Sequence, residues 1–193
     1  MQKKILKTEP TADNFLVEMS AILHDVDDFK MGGDGKNVDR WLDKIKLQKD
    51  LSERILKITK NIGYGTSGEN PKFEDIETKI VYDSDKLDSI GAIGIARVFA
   101  FSGSHACPIF VPNIFPEKHF DISQYKNVNR KENTAINHFF DKLLRLKNIM
   151  QTKEGKKEAI KRHEIMIKFL KDFFEEQDLK DWQNFMDDFI KNL

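Results

Sequence analysis

The helical spacing of apolar residues restricts the fold of this sequence more than any other feature. Over residues 134–150 the apolar side chains recur at steps of three and four, and they are Ile136, Phe139, Phe140, Leu143, Leu144 and Leu146. This spacing places them on one face of an α-helix. Residues 156–176 repeat the pattern, with predicted inward residues Ile160, Ile165, Met166, Phe169, Leu170, Phe173 and Phe174. Two long amphipathic helices of this kind predict a helical core.

Shorter apolar patterns predict further helices. They cover residues 13–25, 38–47, 51–62, 73–87, 92–101 and 182–190. The one strand-like stretch, 78–82, also fits a buried helix, so the predicted fold class is all-α. We expect a single domain over residues 1–193, with its core at about 12–176 and an acidic tail at 177–193. The segment 103–130 contains three prolines, and we predict that it is a long loop or a lid over a site.

The composition excludes several classes of function. The 193 residues include 32 Lys and Arg against 32 Asp and Glu, so the net charge of +0 favours neither nucleic acid nor an anionic membrane as a partner. The single cysteine, Cys107, can form neither an intrachain disulfide nor a Cys-based zinc cluster. The sequence also has no signal-peptide core and no long apolar run. We therefore expect a cytoplasmic protein with no nucleic-acid or membrane partner.

The first candidate site is the pair His24-Asp25, which ends the apolar run that begins at Phe15. Imidazole and carboxylate are both good ligands for a divalent cation, and neighbouring residues near a helix end can converge on one ion. Taken alone, the pair is weak evidence for a metal site, and a polar helix end with carboxylates near water explains it better.

Three carboxylates form the second candidate site. Asp83, Asp85 and Asp88 lie within the otherwise apolar stretch IVYDSDKLDSIGAIGIARVFAFSG. Carboxylates in a core helix are unfavourable unless they are paired, hydrogen-bonded or bound to a metal. The alternative is a solvated helix face that carries Asp85 and Asp88.

Three separated blocks carry a resemblance to a known family. AILHDVDDFK, IVYDSDKLDSIGAIGIARVFAFSG and TAINHFFDKLLRLKNIMQTKEGKKEA, in this order, resemble the HD superfamily of metal-dependent phosphohydrolases. The resemblance is to the small stand-alone bacterial-type group that includes nucleotide pyrophosphohydrolases, and it spans about residues 12–174. It implies an HD-domain helical bundle that binds one divalent metal ion. Manganese or magnesium suits the carboxylates of such a site, and iron or zinc would suit its imidazole. The implied reaction is hydrolysis of a phosphoester or phosphoanhydride, with a nucleotide as the expected substrate.

The resemblance also assigns the metal ligands. They are His24, Asp25 and Asp85, the last of which precedes Lys86. The family has one further His ligand, which lies farther upstream than the 23 residues that precede His24 here, and none of those 23 is histidine. We therefore expect exposed apolar residues near Phe15, Met19 and Ile22, with instability or a homo-oligomer as the result. A degenerate HD protein that binds a nucleotide or protein partner without turnover is the alternative to an enzyme.

Five further residues receive functional predictions. Asp28 lies four residues after His24 and, if the helix continues, could orient the attacking water or accept its proton. Lys86 could contact a phosphate oxygen, and its alternatives are a salt bridge to Asp83 or simple exposure. We assign His138, Lys142 and Asp88 to substrate binding. The alternative for His138 is a structural histidine beside the core.

One more histidine is expected to have no function. His163 lies in the charged stretch KKEAIKRHEIM, and we predict that it is a solvated helix residue.

Overall fold

A computed structural model of the chain describes residues 1–27, 32–64, 71–116 and 134–193. In chain order its helices are α1 (Gln2–Leu6), α2 (Asn14–Leu23), α3 (Asn37–Lys44), α4 (Lys49–Asn61), α5 (Ile76–Asp88), α6 (Gly91–Ser104), α7 (Ala135–Asp141), a 3₁₀ helix (Leu143–Ile149), α8 (Lys153–Glu176) and α9 (Lys180–Lys191). None of the described residues lies in a β-strand. The predicted all-α fold class is confirmed. No helix in the described ranges is long and apolar enough to cross a membrane.

The described residues form two compact units. Unit 1 contains residues 1–85 and 151–155, and unit 2 contains residues 86–150 and 156–193. Helices α5 and α8 therefore each contribute residues to both units. The single domain over residues 1–193 stays a prediction.

Unit 1 has an aliphatic core. Helix α2 packs against α1 and α4, and α3 packs against α4. The fully buried side chains of this core include Ile5, Leu16, Val17, Leu42, Ile55 and Ile80. The outer face of α2 is apolar as predicted, because Phe15 is 47% exposed and Ile22 is 71% exposed, while Met19 is half-buried.

Unit 2 has an aromatic core. The indole of Trp182, on α9, is 1% exposed, and its N–H donates a hydrogen bond of 2.8 Å to the carbonyl of Pro112. Rings from α7, α8, α9 and the segment before residue 116 surround it, namely Phe110, Phe115, Phe140, Phe174 and Phe185. The stretch 177–193 is therefore more than an acidic tail, because most of it is a helix that contributes Trp182 and Met186 to a core.

The predicted helix over residues 134–150 is two elements. Helix α7 ends at Asp141, and Lys142 takes φ −136° and ψ −60° before the 3₁₀ helix begins. Leu143, Leu144 and Leu146 remain buried in the 3₁₀ helix, because spacing of three suits a 3₁₀ turn as well as an α-turn. The leucines of the predicted apolar face are therefore buried as expected, but by a 3₁₀ helix and not by a continuous α-helix.

The inward face of α8 also differs from the prediction. Ile160 and Ile165, expected to face inward, are 51% and 45% exposed, whereas His163, expected in solvent, is only 6% exposed. The face that is buried follows steps of three and four through Ala159, His163, Met166, Leu170 and Phe174. Met166, Leu170 and Phe174 are buried as predicted, but a polar His occupies a core position on this face, so that a prediction from apolar residues alone placed Ile160 and Ile165 inward instead.

The segment 103–130 lies only partly within the described ranges. Residues 105–116 follow α6 without forming a helix, and residues 117–130 lie outside the described residues. Its role as a lid stays a prediction.

Candidate metal centre

The end of helix α2 positions the first part of the site. Asp13 is the N-cap of α2, and its carboxylate accepts a hydrogen bond of 3.0 Å from the Leu16 N–H. His24 is the C-cap, directly after the last residue of the helix. Its Nδ1 lies 2.8 Å from the carbonyl oxygen of Ala21, and since a carbonyl can only accept, Nδ1 carries the hydrogen. The other ring nitrogen, Nε2, is thereby turned toward the neighbouring carboxylates.

Two carboxylates meet His24 Nε2. Asp25 Oδ2 lies 3.2 Å away, and Asp85 Oδ1, on α5, lies 3.6 Å away. The side chains of His24 and Asp85 are 22% and 27% exposed, whereas that of Asp25 is 66% exposed. The structure therefore brings together the three predicted metal ligands, although 60 residues separate Asp25 from Asp85 in the sequence.

These carboxylates control the protonation of His24. Burial of the imidazole lowers its pKa, but the close contacts with Asp25 and Asp85 and the charges of both carboxylates outweigh burial and raise the pKa of His24 to about 10. The imidazole is therefore a cation at neutral pH in this arrangement. Two carboxylates that stabilise a proton at Nε2 are also suited to stabilise a metal cation there.

The donor set fits a divalent metal ion in its chemistry. One imidazole and two carboxylates suit manganese, iron or zinc, and carboxylates also suit magnesium. The hydrogen bond from Nδ1 to a backbone carbonyl is the usual way in which a ligating histidine is oriented. Across the described parts of the chain, no group of three His, Cys, Asp or Glu side chains is already arranged as a metal-binding group. A bound ion would therefore have to displace the His24 proton and draw the three side chains closer.

The chain that follows His24-Asp25 is fixed by another carboxylate. Asp27 accepts hydrogen bonds from the backbone N–H groups of Asn37 and Val38, at 2.9 Å and 3.1 Å, at the start of α3. Asp27 thus anchors the loop two residues after Asp25. Asp28, the predicted water-orienting residue, lies outside the described residues.

The other predicted site residues lie in unit 2. Lys86 is 3% exposed, which contradicts the alternative of simple exposure, and Asp88 is exposed at the last position of α5. His138 and Lys142 are half-buried, and the Lys142 N–H donates to the His138 carbonyl at 3.2 Å. Lys142 is the C-cap of α7. Their contact with substrate stays a prediction.

Two residues that support α5, the helix that carries Asp85, were not predicted. Glu77, at the start of α5, accepts a hydrogen bond of 3.0 Å from the Asp13 N–H and so joins the first turns of α2 and α5. Thr152, the residue before α8, donates its hydroxyl to Asp83 at 2.6 Å. A signal for Thr152 was present in the sequence, since a threonine before a long amphipathic pattern is a typical N-cap. Glu77 gave no comparable signal.

Comparisons with known proteins agree with this fold. No protein-family model matches the chain. YpgQ of Bacillus subtilis (strain 168) is 32% identical over 165 residues, which cover 83% of this chain and 71% of YpgQ. The crystal structure of an HD-superfamily hydrolase from Bacillus thuringiensis matches with a TM-score of 0.68 and 32% identity, over 93% of this chain and 82% of that one.

A third match contains a ligand. The crystal structure of Bacillus subtilis YpgQ in complex with ADP matches with a TM-score of 0.67 and 28% identity. The match covers 91% of this chain and 82% of the YpgQ chain.

Proposed function

This chain belongs to the HD superfamily of hydrolases, and from that membership we propose that it is a metal-dependent phosphohydrolase that acts on a nucleotide. The observation that carries the proposal is the convergence of Asp25 and Asp85 on Nε2 of His24. In this proposal the three side chains are the metal ligands. A bound divalent ion would polarise a phosphoryl oxygen and lower the pKa of a bound water.

The chain's own residues supply the positioning. Ala21 fixes the tautomer of His24, and α5 carries Asp85 to within 3.6 Å of His24 Nε2. Lys86, next to Asp85, is proposed to contact a phosphate oxygen as a compact positive charge. Asp28 is proposed to orient the attacking water and take its proton as the P–O bond to the leaving group breaks.

That the substrate is a nucleotide is the more specific part of the proposal. It is supported by the ADP in the crystal structure of the related YpgQ. The expected reaction is of the pyrophosphohydrolase type, in which a phosphoanhydride of a nucleoside triphosphate is hydrolysed and pyrophosphate or phosphate is released. His138, Lys142 and Asp88 are the proposed substrate contacts. Manganese or magnesium suits the two carboxylates, and iron or zinc would also suit the imidazole.

The test is release of phosphate and pyrophosphate from a panel of nucleoside triphosphates with Mn²⁺, for the wild type and Asp85→Ala. We expect turnover by the wild type and a loss of at least about 10- to 100-fold in the variant, since even residues behind the ligands contribute that much. Asp50→Ala is the matched control, because Asp50 is an exposed carboxylate on α4. It should keep wild-type turnover.

Two other results would change the assignment. Equal metal content and equal hydrolysis in the wild type and Asp85→Ala would show that Asp85 is not a ligand. Nucleotide binding without release of any product would favour the alternative, a degenerate HD protein that binds a nucleotide without turnover.

A further inference from the structure

Asp83 is a buried carboxylate held by three donors. It is 0% exposed, and it lies on α5 two residues before Asp85. Asp83 Oδ1 accepts from the Gln151 N–H at 2.8 Å, and Oδ2 accepts from the N–H and the hydroxyl of Thr152 at 2.7 Å and 2.6 Å. A buried charge is tolerable only when it is hydrogen-bonded in this way. Any movement of the carboxylate would leave several buried polar groups without partners, so Asp83 is firmly placed.

The start of α8 is built to receive this carboxylate. Thr152 is 3% exposed, and its hydroxyl, which donates to Asp83, also accepts from the Gly155 N–H at 3.0 Å. A Cβ at Gly155 would clash with Asp83 Oδ2 and would lie 2.7 Å from Thr152 Oγ1. Only glycine leaves room for this contact. We call Asp83, Thr152 and Gly155 the Asp83 clamp.

The clamp acts on the same helix that carries a proposed metal ligand. Successive residues of an α-helix are about 100° apart, so Asp83 and Asp85 project from nearly opposite sides of α5. Side-chain ends lie about 5 Å from a helix axis, so a rotation of about 6° moves a carboxylate by about 0.5 Å. Functional groups must be held within about 0.5 Å to be productive. Fixing the rotation of α5 at Asp83 therefore fixes where the Asp85 carboxylate lies relative to His24.

We infer that Asp83, Thr152 and Gly155 are positioning residues for the metal centre, which set the rotation of α5 and so aim Asp85 at His24. This inference rests on the proposed function. The clamp residues do not contact metal or substrate, and their effect reaches the site through Asp85.

The test is a titration with Mn²⁺ followed by electron paramagnetic resonance, which measures both the affinity and the spectrum of the bound ion. Thr152→Val removes the hydroxyl and keeps the size and branching of the side chain. We expect it to weaken Mn²⁺ binding by about 10-fold or more and to change the bound-ion spectrum. Thr152→Ser restores the hydroxyl and is expected to bind Mn²⁺ with the affinity and spectrum of the wild type.

A control separates positioning from stability. Ile136→Val shortens a fully buried side chain of unit 2 and lowers stability without touching the clamp. It should leave Mn²⁺ binding unchanged at a temperature at which circular dichroism shows every variant to be folded. Asp83→Asn is a second disruption, because its NH₂ group replaces one of two oxygens that both accept, and so faces at least one of the donors of Gln151 or Thr152. It should weaken Mn²⁺ binding as Thr152→Val does.

The outcomes are distinguishable. If the wild type binds no Mn²⁺, the proposed function fails and the inference falls with it. If the wild type binds Mn²⁺ and folded Thr152→Val binds it equally well with the same spectrum, the proposed function stands and the positioning role is overturned. Weakening in Ile136→Val equal to that in Thr152→Val would also overturn it, because general destabilisation would then explain both.

Discussion

The imidazole of His163 lies inside unit 2, where it is 6% exposed, and its Nδ1 has no hydrogen-bond partner among the described residues. Burial lowers the pKa of His163, the positive charge of Lys147 lowers it further, and a hydrogen bond with the Leu144 backbone opposes both, so that the pKa is about 4. The residue is therefore neutral in the folded protein at neutral pH. This contrasts with His24, where two carboxylates hold a proton on a half-buried ring.

The His163 pKa predicts an acid-sensitive stability. In the unfolded chain His163 takes up a proton below about pH 6.5, whereas in the folded protein it does so only below about pH 4. The unfolded state thus binds more protons between these values, and stability falls as the pH is lowered through this window. The loss that His163 contributes is about 3 kcal/mol.

Urea unfolding of the wild type and His163→Gln at pH 7 and pH 4.5 measures this contribution. The fall in stability between the two pH values should be smaller by about 2–3 kcal/mol in the variant. The same substitution at the exposed His105 is the control and should leave the fall unchanged. An equal fall in the wild type and His163→Gln would contradict the prediction.

At the scale of helices, α2 and α5 are joined at both ends. The Asp13 N–H bonds to Glu77 where both helices begin, and His24 meets Asp85 near where both end. The two helices therefore run in the same direction along unit 1. Asp13 has two functions in this arrangement, since its carboxylate also caps α2 through Leu16.

Removal of the Asp13 carboxylate should lower the stability of unit 1 by about the free energy that one N-cap hydrogen bond contributes. Asp13→Ala leaves the Leu16 N–H without its acceptor, and we expect a loss of about 1 kcal/mol in the free energy of unfolding. Denaturant unfolding followed by far-UV circular dichroism measures the loss. Glu18→Ala, at an exposed position within α2, should change stability by less than about 0.5 kcal/mol, and an equal loss in both variants would show that the cap is unimportant.

Most helices were predictable from apolar spacing, and the exceptions have physical causes. The patterns over 13–25, 38–47 and 51–62 became α2, α3 and α4 with shifts of a few residues at their ends. The break at Lys142 was not predictable, because no Gly or Pro marks it and a 3₁₀ helix buries the same leucines. In α8, Met166, Leu170 and Phe174 are buried as predicted, but the burial of His163 was missed because a prediction from apolar residues leaves out a polar residue at a core position.

For the whole molecule, the most informative feature of the sequence was the resemblance of its three separated blocks to the HD superfamily. That resemblance brought together His24, Asp25 and Asp85, which no local spacing could have joined. The supporting hydrogen bonds of Glu77 and Thr152 could not be found in this way, because a bond over 64 or 69 residues depends on packing that the sequence pattern does not encode.

The distribution of aromatic residues gives the two units different cores. Of the 15 phenylalanines, 12 follow residue 86, and only Phe15, Phe29 and Phe73 precede it. The chain's two tryptophans follow the same division, since Trp41 on α3 is 41% exposed and Trp182 on α9 is 1% exposed. Burial of large rings gives more stabilisation per residue than burial of aliphatic groups, so unit 2 should depend strongly on a few aromatic residues.

Trp41 lies in unit 1 and Trp182 in unit 2, so the loss of stability caused by Trp→Ala can be compared between the two units. Trp182→Ala removes a ring that packs on several others and leaves the Pro112 carbonyl without its donor, so we expect a loss of about 3–5 kcal/mol in the free energy of unfolding. Trp41→Ala, on α3, where the ring is 41% exposed, should cost less than Trp182→Ala, because less of its surface is taken from water. Guanidinium unfolding followed by far-UV circular dichroism gives both values. Similar losses in the two variants would contradict the view that α9 is part of the core, since the deeper burial and the hydrogen bond of Trp182 should make its removal more costly.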